Sequence, residues 1–230
     1  LIIYDTEGTD LLKPEVAPLS DQPHLVQLAA IKLDSKLKEV SRHEFLCHPG
    51  IVLPELFTKI TGITEADIDG KEPFIAHYTA LSEFFLGERE MVAHNMAYDS
   101  GLLRYSLTRI GKLLNFPWPI RHICTVEISE GIKGHRLGLS DLHLLAAGKT
   151  PEQRVAFAPG QFVKHKTLGK CTILEVLGEK LKVKKETDGA IKTLEAKMFK
   201  GAAFEGAHGA MKDVEELVTV VRWLRKEGHL

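Results

Sequence analysis

The chain has 230 residues, 44% hydrophobic and 27% charged, with a formal net charge of −1 at pH 7; it can bury a sizeable core as one or two domains of ordinary globular composition. Near-neutrality removes the global basicity that announces nucleic acid, although an enzyme gripping one strand end needs few phosphate contacts. No apolar run approaches the ~20 residues of a membrane helix, and the unevenly spaced Cys47, Cys124 and Cys171, with no CxxC pair, argue against a disulfide framework or a zinc site.

In chain order, LIIYD (1–5) reads as a short buried strand, apolar and β-branched. Residues 8–24 carry Gly, Pro and Ser-Asp and read as a loop. LVQLAAIKLD (25–34) and VSRHEFLC (40–47) read as strands joined by the polar turn DSKLKE, hence as antiparallel neighbours. HPGIVLP (48–54) is a loop, and residues 55–70 read as short helical turns around Gly62. FIAHYTALSEFFL (74–86) has helical spacing and Gly87 as its stop, and MVAHN (91–95) is a second short apolar strand. SGLLRYSLTRIGKLLNF (100–116) reads as an amphipathic helix, and ICTVEIS (123–129) as another strand. LSDLHLLAAG (139–148) has a Ser-Asp start and a Gly end, which suits a helix. The spacing of Met211, Val214, Leu217, Val218, Val221 and Leu224 predicts a helix over 209–228.

Residues 161–200 break this α/β rhythm. QFVKH, CTILEV, KLKVKK and IKTLE are strand-like and separated by turn signals at LGK, LGE and TDGA, a pattern that suits a small curled barrel. Ten lysines against five acids give the segment a net charge of +5, leaving −6 for the remainder. It is either a solvated Lys-rich module, a strand-gripping accessory or a protein-docking surface.

Asp5 and Glu7 stand out, because a buried strand is a poor place for two acids. Residues i and i+2 of a strand share a face, so the two project side by side, and close carboxylates repel unless a cation neutralises them. Oxygen donors of this kind suit Mg²⁺ and Mn²⁺. Alone, a DxE pair is more often a turn cap beside a solvated acid. Asp99 follows an apolar strand at the head of a helix, where alone it reads as a cap. His208 and Asp213 are five residues apart, a net rotation of about 140° on a helix. His208 therefore belongs to the loop before the last helix and Asp213 inside it.

Taken together, DxE on the first strand, Asp after a later strand and HxxxxD entering the last helix resemble the DEDDh group of 3′→5′ exonucleases, the DnaQ-like family. HLVQLAAIKLD, ITGITEADI, VAHNMAYDSGLL, CTVEIS…LGLSDLHLLAAG and EGAHGAMKDV resemble further family segments in the same order, over about 1–150 and 203–230. The resemblance implies an α/β fold, a ribonuclease-H-like mixed five-stranded sheet flanked by helices. Residues 1–155 and 203–230 would form it, with a small all-β, SH3-like or Tudor-like insert at 156–202.

The same resemblance implies a hydrolase using two divalent cations, Mg²⁺ or Mn²⁺, held by Asp5, Glu7, Asp99 and Asp213, with His208 as general base. Gly8, Thr9, Asn95 and Tyr98 are expected to meet substrate. Gly8-Thr9-Asp10 stands where many relatives have Thr-Thr-Gly, which puts the sugar contact in doubt. His94 reads as a structural, hydrogen-bonded residue. The expected partner is nucleic acid, DNA ahead of RNA and single strands ahead of duplex, with no membrane and with a protein partner open through the basic insert. The expected location is cytoplasmic. The alternatives are a 3′→5′ exoribonuclease and a non-catalytic nucleic-acid-binding or proofreading adaptor.

Overall fold

A computed structural model describes residues 1–149, 159–160, 162–165, 167–177, 180–195 and 209–230. The chain forms two compact units, Leu1–Ala147 with His208–Leu230, and Gly148–Ala207.

The first unit is built on a mixed five-stranded sheet in the order β3-β2-β1-β4-β5. Its strands are β1 (Ile2–Gly8), β2 (Leu25–Leu33), β3 (Glu39–Leu46), β4 (Glu90–Ala93) and β5 (Arg121–Cys124). β1–β2 and β2–β3 pair antiparallel, whereas β1–β4 and β4–β5 pair parallel. Short helices α1 (Glu55–Thr61) and α2 (Glu65–Ile68) follow β3, with Gly62 in the left-handed conformation (φ 75°) ending α1. Then come α3 (Phe74–Phe85), α4 (Met96–Arg109), α5 (Thr125–Lys133), α6 (Leu139–Ala146) and α7 (Ala210–Lys226).

Strand parity explains the layers. Ile2 and Tyr4 of β1 pack with Leu81 and Phe85 of α3 and Leu102, Leu103 and Leu107 of α4. Ile3, one residue out of phase, packs with Leu142 of α6 and with Val214, Leu217, Val218, Val221 and Leu224 of α7. Both faces of the sheet are therefore covered, and central strands covered on both faces read as unbroken apolar runs. Each fully buried Val or Leu of α7 stabilises the assembly by roughly 1.5–3 kcal/mol, so this helix is anchored by its stripe rather than by propensity.

Two elements differ from the sequence reading. The strand expected over 123–129 ends at Cys124, and α5 takes over from Thr125 to a left-handed Gly134 (φ 75°). Ile128 and Ile132, four residues apart, pack into the core on a helical period that the short apolar segment disguised. α4 begins at Met96 and ends at Arg109, ahead of Gly111 with φ 66°, so Asp99 lies inside its first turn rather than at its cap. α6 lies within the 139–148 expected for it, and with Gly138 as its N-cap Ser140 and Asp141 fall in its first turn.

The second unit contains β6 (Phe162–His165), β7 (Gly169–Leu177), β8 (Lys180–Lys185) and β9 (Ile191–Glu195), a four-stranded sheet in that order with every described pairing antiparallel. Val163, Cys171, Ile173, Leu181 and Val183 form its core. Lys182 and Lys184 alternate with Leu181 and Val183, so they lie on the opposite face. Among the described residues, no helix is long and apolar enough to cross a membrane.

Candidate active site

The site lies at the carboxyl ends of the parallel strands β1 and β4, where ligands bind in open α/β sheets. The β1–β4 register ends at Ile3 opposite Val92, and β4 stops at Ala93. Beyond that point β1 runs on without a strand neighbour on this side, and α4 occupies the gap.

Parity carries Asp5 and Glu7 to the face of Ile3, the face that α7 covers. α7 brings Asp213 from its first turn. One ligand oxygen from each of Asp5, Glu7 and Asp213 lies within 4.8 Å of the others, an arrangement able to hold a metal ion. Asp99 reaches the same crevice from α4. Its Oδ1 accepts hydrogen bonds from the Thr6 backbone N–H at 3.0 Å and from Thr6 Oγ1 at 2.8 Å. Thr6, buried and of opposite parity to Asp5 and Glu7, thus ties α4 to β1. A cavity of about 430 Å³ is lined by all four acids together with Ile60, His94, Asn95, Tyr98, Gly138, Ser140 and Asp141.

The electrostatics follow from crowding. Burial raises the Asp5 carboxyl well above its ordinary range, and Asp99, Glu7 and Asp213 raise it further. Burial and then Asp213 and Asp99 push Glu7 up to about 8. Burial pushes Asp99 up to about 7, against the lowering effect of its Thr6 hydrogen bonds. Two ionised carboxylates at about 4 Å repel by roughly 4 kcal/mol where the effective dielectric constant is near 20. An all-oxygen donor set of this density matches a hard divalent cation such as Mg²⁺ or Mn²⁺.

The remaining expected residues divide. Asn95 and Tyr98 line the cavity, and Tyr98 Oη donates to the Asp10 carbonyl at 3.1 Å. Gly8 and Thr9 are outside the lining. A Cβ on Gly8 would lie 2.7 Å from both Leu102 Cδ2 and Tyr98 Oη, so any larger residue here must displace the ends of these α4 side chains. Thr9 is buried and pairs with His24 through its N–H to the His24 carbonyl and its Oγ1 to the His24 N–H, both 2.9 Å. His94 Nδ1 is hydrogen-bonded to Thr125 Oγ1 at 3.0 Å, and the His94 carbonyl accepts from Val126 N–H at 3.1 Å, which pins the end of β4 to α5. His208, expected as the general base, lies outside the described residues.

Three contributors escaped the sequence reading. Asp141 lines the cavity from the first turn of α6. Thr6 is an unremarkable residue between two acids, and only its contact with Asp99 singles it out. Gln27 is a buried amide inside an apolar strand, and a buried amide must find partners. That rule was the available signal.

Residues 2–152 match the exonuclease family RNase_T. A PolC-type DNA polymerase III of Streptococcus suis is 30% identical over 143 residues, covering 60% of this chain and 9% of that protein. Over its full length, then, this chain spans only a small fraction of the curated relatives it matches. Among solved structures, the nuclease domain of 3′hExo, a DEDDh family member bound to rAMP, aligns with a TM-score of 0.58 at 12% identity, covering 99% of this chain and 92% of that one. Exonuclease X in complex with 5′ overhanging duplex DNA aligns with a TM-score of 0.51 at 15% identity, covering 99% and 92%. At such identities the two structures speak to the fold, and it is the same mixed sheet with flanking helices. With the family match running over the sheet, β1 and its two acids, and α4 with Asp99, the chain belongs to the exonuclease (RNase_T) family.

Proposed function

We propose that this chain is a metal-dependent 3′→5′ exonuclease that removes mononucleotides from the 3′ end of DNA, single strands favoured. The observation that carries this reading is the convergence of Asp5, Glu7 and Asp213 within 4.8 Å, at a cavity that Asp99 also lines. Four acids crowded to this degree are ionised together most readily with cations beside them, and hydrolysis of a phosphodiester needs positive charge where negative charge develops. The relative named as a DNA polymerase supports DNA as the substrate.

Asp5, central on β1, would help to hold two cations, Mg²⁺ or Mn²⁺. Glu7 and Asp213 would complete one cation, and Asp99, held by Thr6, would serve the other. When bound, such a pair polarises the phosphate and lowers the pKa of bound water. His208 would take the proton of the attacking water, a task its ordinary pKa near 6.5 suits. Asn95 and Tyr98, at the cavity edge, would orient the terminal nucleotide, and Gly8 and Thr9 would shape the β1 rim on which it rests. The insert, 156–202, is proposed as a small SH3-like barrel whose lysine face holds nucleic acid by its phosphates.

The test uses 5′-labelled single-stranded DNA, duplex DNA and RNA with Mg²⁺, Mn²⁺ or EDTA. The expected result is stepwise shortening that EDTA stops, fastest on single-stranded DNA. Asp5→Asn and Asp213→Asn should abolish it, and His208→Ala should slow it roughly 10²–10⁴-fold. Faster shortening of RNA would make the enzyme an exoribonuclease. Full activity in Asp5→Asn would refute the metal assignment, and binding without cleavage by the wild-type chain would leave an adaptor.

A further inference from the structure

Gln27 lies on β2 directly opposite Glu7 of β1, on the face covered by α7, and is only 7% exposed. Its two amide atoms have different partners. Oε1 accepts the backbone N–H of Ala210, the first residue of α7, at 3.0 Å. Nε2 donates to Glu44 Oε1 on β3, also at 3.0 Å. The first N–H groups of a helix have no partner within it and are normally met by the N-cap side chain. Here the N-cap is Gly209, which has no side chain to offer. Ala210 is fully buried, so water is no substitute.

We propose that Gln27 is a positioning residue for the metal site: it caps α7 from the neighbouring strand and thereby sets Asp213 against Asp5 and Glu7. Asp213 is three residues beyond the capped N–H, within the same first turn, and its own N–H faces the Gly209 carbonyl at 3.4 Å. A shift of that turn moves the Asp213 carboxylate with it. Glu44 fixes which way the amide points, keeping the oxygen toward α7. An amide suits this place better than an acid, because a carboxylate opposite Glu7 would add like charge to a crowded cluster.

The inference rests on the proposed metal-dependent activity, and the test separates the two. Mn²⁺ binding is measured by calorimetry on the wild-type chain, Gln27→Met and Glu44→Ala, alongside the Mg²⁺ dependence of DNA shortening. Gln27→Met keeps the length of the side chain and loses both hydrogen bonds. It should bind Mn²⁺ about 10–100-fold more weakly, the usual effect of removing a group that orients a ligand. Its Mg²⁺ activation curve should move to higher concentration by a similar factor, with KM for DNA nearly unchanged. Glu44→Ala, on an exposed strand position, should weaken Mn²⁺ binding by a smaller factor in the same direction, and it carries the test should Gln27→Met not fold. Unchanged Mn²⁺ affinity in the folded variant overturns the positioning role. A wild-type chain that binds no Mn²⁺ instead overturns the function on which the role depends.

Discussion

Glu7 carries the most direct consequence of crowding. Its carboxyl is pushed up to about 8 in the folded, metal-free protein and is near its ordinary 4.5 when unfolded. Between those values the folded state retains a proton that the unfolded state has released, so stability falls as pH rises from about 4.5 to 8. Asp99, pushed up to about 7, acts in the same direction over a narrower window. Thermal melts in EDTA should therefore show Tm of the wild type falling relative to Glu7→Gln across this range, a comparison that cancels the opposite contribution of His43, His77 and His94, whose burial lowers their pKa. Added Mn²⁺ should raise Tm more at pH 8 than at pH 5, because protons compete with the metal for the same oxygens. A metal-free Tm difference from Glu7→Gln that stays constant from pH 5 to 8 would contradict the cluster's electrostatics. For the same reason Asp213→Asn, which removes one repelling charge, should melt higher than wild type in EDTA at pH 8 while being inactive. At this scale Asp5 and Glu7 were legible, since strand period alone puts them on one face. The grip of Thr6 on Asp99 was not, because nothing in VAHNMAYDSGLL specifies a partner 93 residues earlier in the chain.

At the scale of elements, α7 shows how one helix can both build the core and supply a ligand. Asp213 and Leu217 are four residues apart and so lie on the same side of the helix, with Leu217 only 1% exposed. The acid occupies the stripe at the place where the core ends and the cavity begins. Leu217→Ala should cost about 2–5 kcal/mol in denaturant unfolding, and the loosened helix should also weaken Mn²⁺ binding. Gly8 is the corresponding constraint on β1. Gly8→Ala must displace Leu102 or Tyr98, both on α4, at a cost of about 1–3 kcal/mol; a variant as stable and as active as wild type would show that α4 can yield there. The amphipathic helix over 209–228 and the antiparallel pair around DSKLKE were readable because their periods extend over enough residues. The strand expected over 123–129 was drawn too far, into the first turns of α5, because TVEIS carries too few apolar positions to separate period 3.6 from period 2.

Across the whole molecule, charge is divided between the two units. The segment 161–200 carries a net +5, and the rest of the chain −6. In the second unit, β8 alternates buried Leu181 and Val183 with Lys182 and Lys184, so part of that positive charge is arrayed on one face of a sheet. Lys182 is partly offset by Glu175 at 3.7 Å. If this face holds nucleic acid, deleting 157–200 should leave turnover of short oligonucleotides intact and weaken binding of long ones. Lys182→Ala with Lys184→Ala should flatten the salt dependence of long-strand binding by about two phosphate contacts. Binding of long strands that is unchanged at low salt would assign the lysines to solubility instead.

The sequence by itself determined the α/β class, the buried strand that presents Asp5 and Glu7 side by side, the amphipathic last helix with Asp213 near its start, and a basic β-rich segment between the acid motifs. These are properties of period and composition, which neighbouring residues specify locally. Only the tertiary structure decided that β4 ends early enough for α4 to reach Thr6, that α6 carries Asp141 to the cavity, and that Gln27 caps a helix 183 residues away. Those contacts depend on strand order, register and the exact start of each helix. Such features are selected by the burial of both sheet faces at once, a condition on the whole unit that no single stretch of chain records.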